Sequence, residues 1–338
     1  MPAAARRRLL LLCPQFFSYH LAILDAAERL GITAQWVDAR GGGSVLYKGM
    51  LKLAPSLTRN ASQAQIHAAL DRVEDPAQIT DILVVKGDGI TPSTLEALHQ
   101  RAHRARTTLY LWDSLRNASG ALELSKLCDR TVTFDHGDAA MQGWDFVPLF
   151  SRVPVIDPGL VRDADWDWSF VGSVHSDRHR VLRRLAAALP GAHYRVHAYV
   201  QNRLVQGVRA LRDPGLLFPG PVGVARHVLG TAEYQDILSR SRAVVDVEHP
   251  RQVGLTMRTI ETLLGGRKVI TTNRHVQSYD LYDPTRVALI DREAPKLDPD
   301  FFETPFSPIP PDQAQLYHVD SWLERVLSRT APSTGQIS

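Results

Sequence analysis

Short continuous apolar runs alternate, over the first 135 positions, with segments in which apolar residues recur every three or four places. The first pattern predicts buried strands and the second amphipathic helices. Residues 9–13 form an apolar run closed by Pro14, residues 19–30 an amphipathic helix that stops at Gly31, and residues 33–38 a second strand. Helices near 62–73, 92–104 and 118–127 then alternate with strands over 81–86, 107–112 and 130–134. Such alternation specifies a parallel sheet with helices on both faces, which binds ligands beyond the carboxyl ends of its strands.

Residues 150–167 contain Pro154 and Pro158 and follow no period, as a linker does. A second alternation follows: a strand over 168–173, a helix to 189, a strand over 194–199, a helix over 231–240 with Thr231 as its cap, and a strand over 243–247, with 200–230 left unassigned. In the stretch 254–273, Met257, Ile260, Leu263 and Leu264 fall on one helical stripe, Gly265 and Gly266 stop it, and residues 268–271 form a strand. The expected fold class is therefore α/β, with two Rossmann-like domains facing across a cleft, at 1–155 and 168–312. Residues 313–329 read as a packed terminal helix with Leu316, Val319, Leu323, Val326 and Leu327 along one side, and residues 330–338 as a disordered tail.

Length agrees with this division, since 338 residues suit two domains of ordinary size. The 39 basic and 36 acidic residues nearly balance, and no basic run carries interleaved aromatics, which excludes a dedicated nucleic-acid binder. Cys13 and Cys128 lie far apart with no Cys-x-x-Cys spacing, so neither a disulfide framework nor a zinc site is expected, and a reducing cytoplasm fits. The apolar run after Arg6, Arg7 and Arg8 is too short for a signal peptide, and no window is long enough to span a bilayer. The expectation is a cytoplasmic protein with at most peripheral membrane contact through that arginine triplet.

Candidate chemistry sits at the predicted strand ends. Asp88 follows Lys86-Gly87, Asp113 follows Trp112, and Asp135 and Asp138 follow the strand at 130–134. A carboxylate at such a rim serves as a general base towards a hydroxyl, and Asp113 or Asp88 is the candidate; Asp135 and Asp138 read as turn and cap residues. In the second half, the Gly172-Ser173 turn allows close backbone approach to a ligand, with His175, Arg178 and Arg180 as nearby cations. Arg258 and Glu261, three apart at the start of a helix, place a cation where the helix terminus already favours a diphosphate, and an acceptor for ribose hydroxyls one turn on. The competing reading is an exposed ion pair on an ordinary helix.

Gly172-Ser173, the segment 237–242, and Gly254, Arg258, Glu261, Gly265-Gly266 and Thr271-Thr272-Asn273 together resemble the carboxy-terminal half of GT-B glycosyltransferases. With Pro14, Phe16, Phe17, Tyr19 and Trp112-Asp113-Ser114, the chain is most similar to the bacterial capsule, exopolysaccharide and lipopolysaccharide members, and distantly to the spore-maturation type, over residues 9 to 327. The resemblance implies transfer of a sugar from a nucleotide-sugar donor to a glycan or lipid-linked acceptor. It places Gly172, Ser173, Arg178, His249, Arg251, Gly254, Leu255, Thr256, Arg258 and Glu261 at the donor, with Gly172 and Ser173 on the wall opposite Arg258, and the base, Asp113 or Asp88, in the first domain. In such enzymes the last helix often crosses back to the first domain. One departure matters: the acidic residue of the retaining pattern, seven positions before the ribose glutamate, is here Gly254, so stereochemistry does not carry over. No Asp-x-Asp lies at a strand end, so no metal or other cofactor is expected, the diphosphate charge falling on Arg258, Arg251 and the helix terminus. The alternatives are a nucleotide-sugar epimerase of the same fold and a non-catalytic sugar-binding scaffold.

Overall fold

The computed structural model describes residues 7–16, 18–40, 55–118, 120–152, 156, 164–218, 220, 222–250 and 252–329. The chain divides into two compact units, one built from the residues up to Arg152 together with those from Leu316, the other from Val153–Gln315. The tail after residue 329 lies outside the described residues.

The first unit is a parallel sheet of β1 (Arg8–Leu12), β2 (Thr33–Val37), β3 (Asp81–Val85), β4 (Arg106–Leu111), β5 (Arg130–Thr133) and β6 (Asp145–Phe146), in the order β2-β1-β3-β4-β5-β6. β3 is buried along its whole length and β1 along all but its first residue, which is why both read as unbroken apolar runs: a parallel sheet is covered on both faces. Helices Tyr19–Arg29, Pro55–Leu70, Pro92–Arg101, Ala121–Ser125 and His136–Gln142 connect the strands. The second of these begins well before residue 62, because Pro55 opens a turn that carries no apolar stripe to announce it. The helix expected over 118–127 is shorter, a 3₁₀ turn Leu115–Asn117 and then Ala121–Ser125.

The terminal helix is two pieces, Pro311–Gln315 and Val319–Val326. Between them Ser151 donates its N–H to the Tyr317 carbonyl (2.7 Å) and accepts from the Val319 N–H (3.1 Å), a single parallel bridge that interrupts the helix and leaves Leu316 exposed, off the expected stripe. The second piece belongs to the first unit. Trp322 packs there against Tyr110 and Phe150, at ring distances of 4.9 and 4.5 Å, and Arg130 donates to the Arg325 and Val326 carbonyls at 2.8 Å each, closing the helix end.

The second unit repeats the plan with β7 (Trp166–Ser173), β8 (Tyr194–Tyr199), β9 (Val224–Ala225), β10 (Ser241–Asp246), β11 (Lys268–Thr271) and β12 (Val287–Leu289), all parallel in the order β12-β11-β10-β7-β8-β9. Its core gathers Trp168, Phe170, Val245 and Ile270 with the apolar side of helix Arg178–Ala188. The unassigned stretch holds helix Arg203–Ala210, whose N-cap Asn202 accepts from the Val205 N–H, and the two-residue β9; the helix exposes Leu204 and Val208 and buries Gln206 and Ala210, so its apolar positions do not mark the packed face, and β9 is too short to show a period. In each sheet the parallel strands bring all their carboxyl ends to one edge.

Candidate active site

At the carboxyl edge of the second sheet, β10 ends in Asp246, 2% exposed. Its carboxylate accepts from the Thr259 hydroxyl (2.6 Å), from the Thr256 hydroxyl, and from Arg258 Nη1 (3.0 Å). Thr256 is also the N-cap of helix Met257–Leu264, its oxygen accepting from the Thr259 N–H, so one buried carboxylate and one cap fix the start of that helix. Arg258 donates with Nη2 to the Val171 carbonyl at 2.7 Å and lies 5.1 Å from the Phe170 ring centre, which Arg178 approaches at 5.5 Å. The exposed i,i+3 pair is therefore not the environment of Arg258, whose side chain is only 18% exposed and salt-bridged to Asp246. A Cβ on Gly172 would stand 2.7 Å from Arg258 Nη2, so this glycine gives room to the guanidinium. Gly172 and Arg258 accordingly share one wall and do not face each other.

Arg178 is buried, donating to the Val247 and Ser173 carbonyls, and burial, then the nearby Arg258, holds its guanidinium at about 9. The His175 and His249 rings lie 5.9 Å apart, and burial with Arg178, His249, Arg258 and Arg209 as neighbours pushes the His175 imidazole down to about 3. Cations thus crowd one spot at the sheet edge, with Asp246 and Glu248 as the carboxylates acting on Arg178. Because His175 is neutral in the folded chain while an unfolded imidazole titrates near 6.5, the unfolded state takes up the proton first as pH falls. Its contribution to stability is whole above 6.5 and lost progressively towards 3. Calorimetry across that window should show the transition of the second unit falling more steeply with acid in the wild type than in His175→Gln; equal slopes would refute it.

Beside these cations, a cavity of about 430 Å³ is lined by Glu248, Thr272, Asn273, His275 and Arg292 among others. Glu248 accepts from the Thr272 hydroxyl at 2.5 Å and is paired with Arg292, which also donates to Asp177 at 2.8 Å; burial nevertheless pushes its carboxyl upward. Neither Glu248 nor Arg292 was anticipated as a site residue, since both stand in loops without a motif. Gly254 presents its carbonyl to Gln252 and Asn273, Leu255 is buried, and Ser173 is exposed. Glu261, within helix Met257–Leu264, is buried at 4% exposed, unlike a residue of an exposed surface pair. Arg251 lies outside the described residues.

At the carboxyl edge of the first sheet, Lys86 brings the two candidate carboxylates together: its Nζ lies 3.1 Å from Asp88 Oδ2 and is also paired with Asp113 Oδ2. Arg40 approaches Asp88 at 3.4 Å. The lysine reaches this place from a left-handed backbone (φ 69°), followed by Gly87 and Gly89 at 78° and 85°, a run that strains a side-chain-bearing residue. Asp135 and Asp138 have other duties. Asp135 accepts from Ser114 and caps helix His136–Gln142, and Asp138 accepts from the Leu115 N–H at 2.6 Å, which shapes the loop that carries Asp113.

Among the described residues no three His, Cys, Asp or Glu side chains are placed to hold a metal ion, and no helix is long and apolar enough to cross a membrane. Burial pushes both thiols, Cys13 and Cys128, up to about 12, which removes them as nucleophiles at neutral pH.

No known sequence family matches the chain, and no curated protein matches it. Solved structures do. AviGT4, a glycosyltransferase involved in avilamycin A biosynthesis, superposes with a TM-score of 0.56 at 13% identity over 95% of either chain. Alr3699/HepE from Anabaena, in complex with UDP and glucose, gives 0.59 at 12% identity over 95% of this chain and 98% of its own. At such identities the likeness is one of fold: the chain has the α/β fold of the GT-B glycosyltransferases, two Rossmann-like units on parallel six-stranded sheets.

Proposed function

We propose that this chain is a glycosyltransferase that moves a sugar from a nucleotide-sugar donor to a hydroxyl of a glycan or glycolipid acceptor in the making of cell-surface polysaccharide. The observation that carries it is the crowd of cations at the edge of the second sheet. Arg178 and Arg258 share the Phe170 ring beside a histidine held neutral at about 3, an excess of positive charge that a diphosphate relieves. The Anabaena neighbour, whose structures hold UDP with glucose and UDP-glucose, supports the donor class.

In this reading the diphosphate lies against Arg258, Arg178 and the start of helix Met257–Leu264, Glu261 accepts from the ribose hydroxyls, and the base enters the cavity beside Glu248 and Arg292. Asp113, held by Lys86 in the first unit, takes the proton of the acceptor hydroxyl as its oxygen attacks the anomeric carbon. The bond from that carbon to the diphosphate oxygen breaks, and the charge arriving on the leaving group meets cations that are already in place. No metal or other cofactor enters the reading.

Thermal unfolding in the presence of nucleoside diphosphates and nucleotide sugars tests it. At a concentration 100 times its dissociation constant a true donor stabilises the second unit by about 2.7 kcal/mol. Glu261→Ala should lose most of this shift. An undiminished shift in that variant removes Glu261 from the ribose, and no shift with any nucleotide sinks the donor assignment.

A further inference from the structure

The edge of the first sheet carries a feature that proton transfer does not use. Phe16 follows β1, Tyr19 opens helix Tyr19–Arg29, and Trp112 directly follows β4, next to Asp113. Their rings form one cluster: Phe16 to Trp112 6.2 Å, Phe16 to Tyr19 6.3 Å with planes 22° apart, and Tyr19 to Trp112 6.5 Å edge-on. The base of the cluster is fixed. Tyr19 is buried, with Phe150 edge-on at 5.9 Å and the Arg152 guanidinium 4.4 Å from its ring centre. The top is open, since Phe16 is 45% exposed and Trp112 half-buried.

An exposed ring backed by buried rings, at the same carboxyl edge of β1, β3 and β4 that carries Lys86, Asp88 and Asp113, offers two kinds of surface at once, an apolar face and a row of hydrogen-bonding groups. A pyranose ring has the complementary pair: axial C–H bonds make one face apolar, while hydroxyls project from its edge. An acyl chain would desolvate the charged residues and offer their free oxygens no hydrogen-bond donor, and a flat phenol has too few hydroxyls to engage them. We propose that Phe16 and Trp112 form a shelf on which a pyranose ring of the acceptor lays its C–H face, with hydroxyls reaching Asp88 and Asp113. The direction of reaction rests on the glycosyl-transfer reading; the binding does not.

Saturation-transfer NMR on the full chain distinguishes the two. The probes are methyl glycopyranosides and short pyranose disaccharides, with sorbitol and p-nitrophenol as acyclic and aromatic controls. The pyranosides should bind with the strongest transfer at ring C–H protons, Phe16→Ala should weaken them about tenfold, and Phe16→Tyr should keep them. Stabilisation by nucleoside diphosphates should be the same in Phe16→Ala as in the wild type. If nucleotides fail to bind while pyranosides bind through Phe16, the shelf stands and the transferase reading falls. Pyranoside affinity unchanged in Phe16→Ala, no pyranoside binding at all, or preference for p-nitrophenol each overturns the shelf.

Discussion

Arg258→Ala is expected to destabilise the second unit by about 3 kcal/mol and to abolish donor binding, the largest combined effect of any single change at this edge. Removing the guanidinium strands the Asp246 carboxylate, 2% exposed, with two threonine hydroxyls and, among the described residues, no salt-bridged partner, Arg178 acting on it only at longer range. An exposed ion pair would cost only about 0.5 kcal/mol, so the magnitude separates the two environments. Arg258→Lys should not rescue, because Nη1 and Nη2 serve two partners, Asp246 at 3.0 Å and the Val171 carbonyl at 2.7 Å, and an ammonium lacks that fork. Gly172→Ala should reproduce the defect in weaker form, since the added methyl meets the same guanidinium at 2.7 Å. Urea unfolding followed separately for each unit measures this, and a loss below about 1 kcal/mol in Arg258→Ala rejects the buried-pair account.

Much of the fold was legible because parallel strands covered on both faces must be apolar throughout, so β1, β3 and β10 announce themselves without any partner in view. Asp88 and Asp113 were legible for a related reason, since a strand's end locates the residue that follows it. What brings them together was not. Lys86 stands between them only because it adopts a left-handed backbone that favours glycine, and no local pattern predicts that. Asp246 was similarly hidden: it looks like the last residue of an apolar strand until Arg258, Thr256 and Thr259 are folded onto it. The break in the terminal helix has its cause at Ser151, more than 150 residues away, and so leaves no trace in the local periodicity.

The same geometry decides which carboxylate to remove. Asp88 is shared between Lys86 at 3.1 Å and Arg40 at 3.4 Å, whereas among the described residues Asp113 is held through Oδ2 by Lys86 alone, with a side chain 36% exposed. Asp113 therefore keeps an oxygen for an incoming hydroxyl while its other is anchored, the arrangement a general base needs. Asp113→Asn is expected to lower transfer by about 10² to 10⁴-fold, because the amide cannot accept the proton but keeps the shape of the site. Stabilisation by the nucleotide should be unaltered, since every proposed donor contact belongs to the other unit. Asp88→Asn should cost less, and mainly in acceptor KM, if Asp88 orients the acceptor and does not take its proton. Initial rates at saturating donor read both variants. Transfer retained within tenfold in Asp113→Asn and lost in Asp88→Asn would move the base to Asp88, with Lys86 then bridging it to Asp113 as the positioning carboxylate.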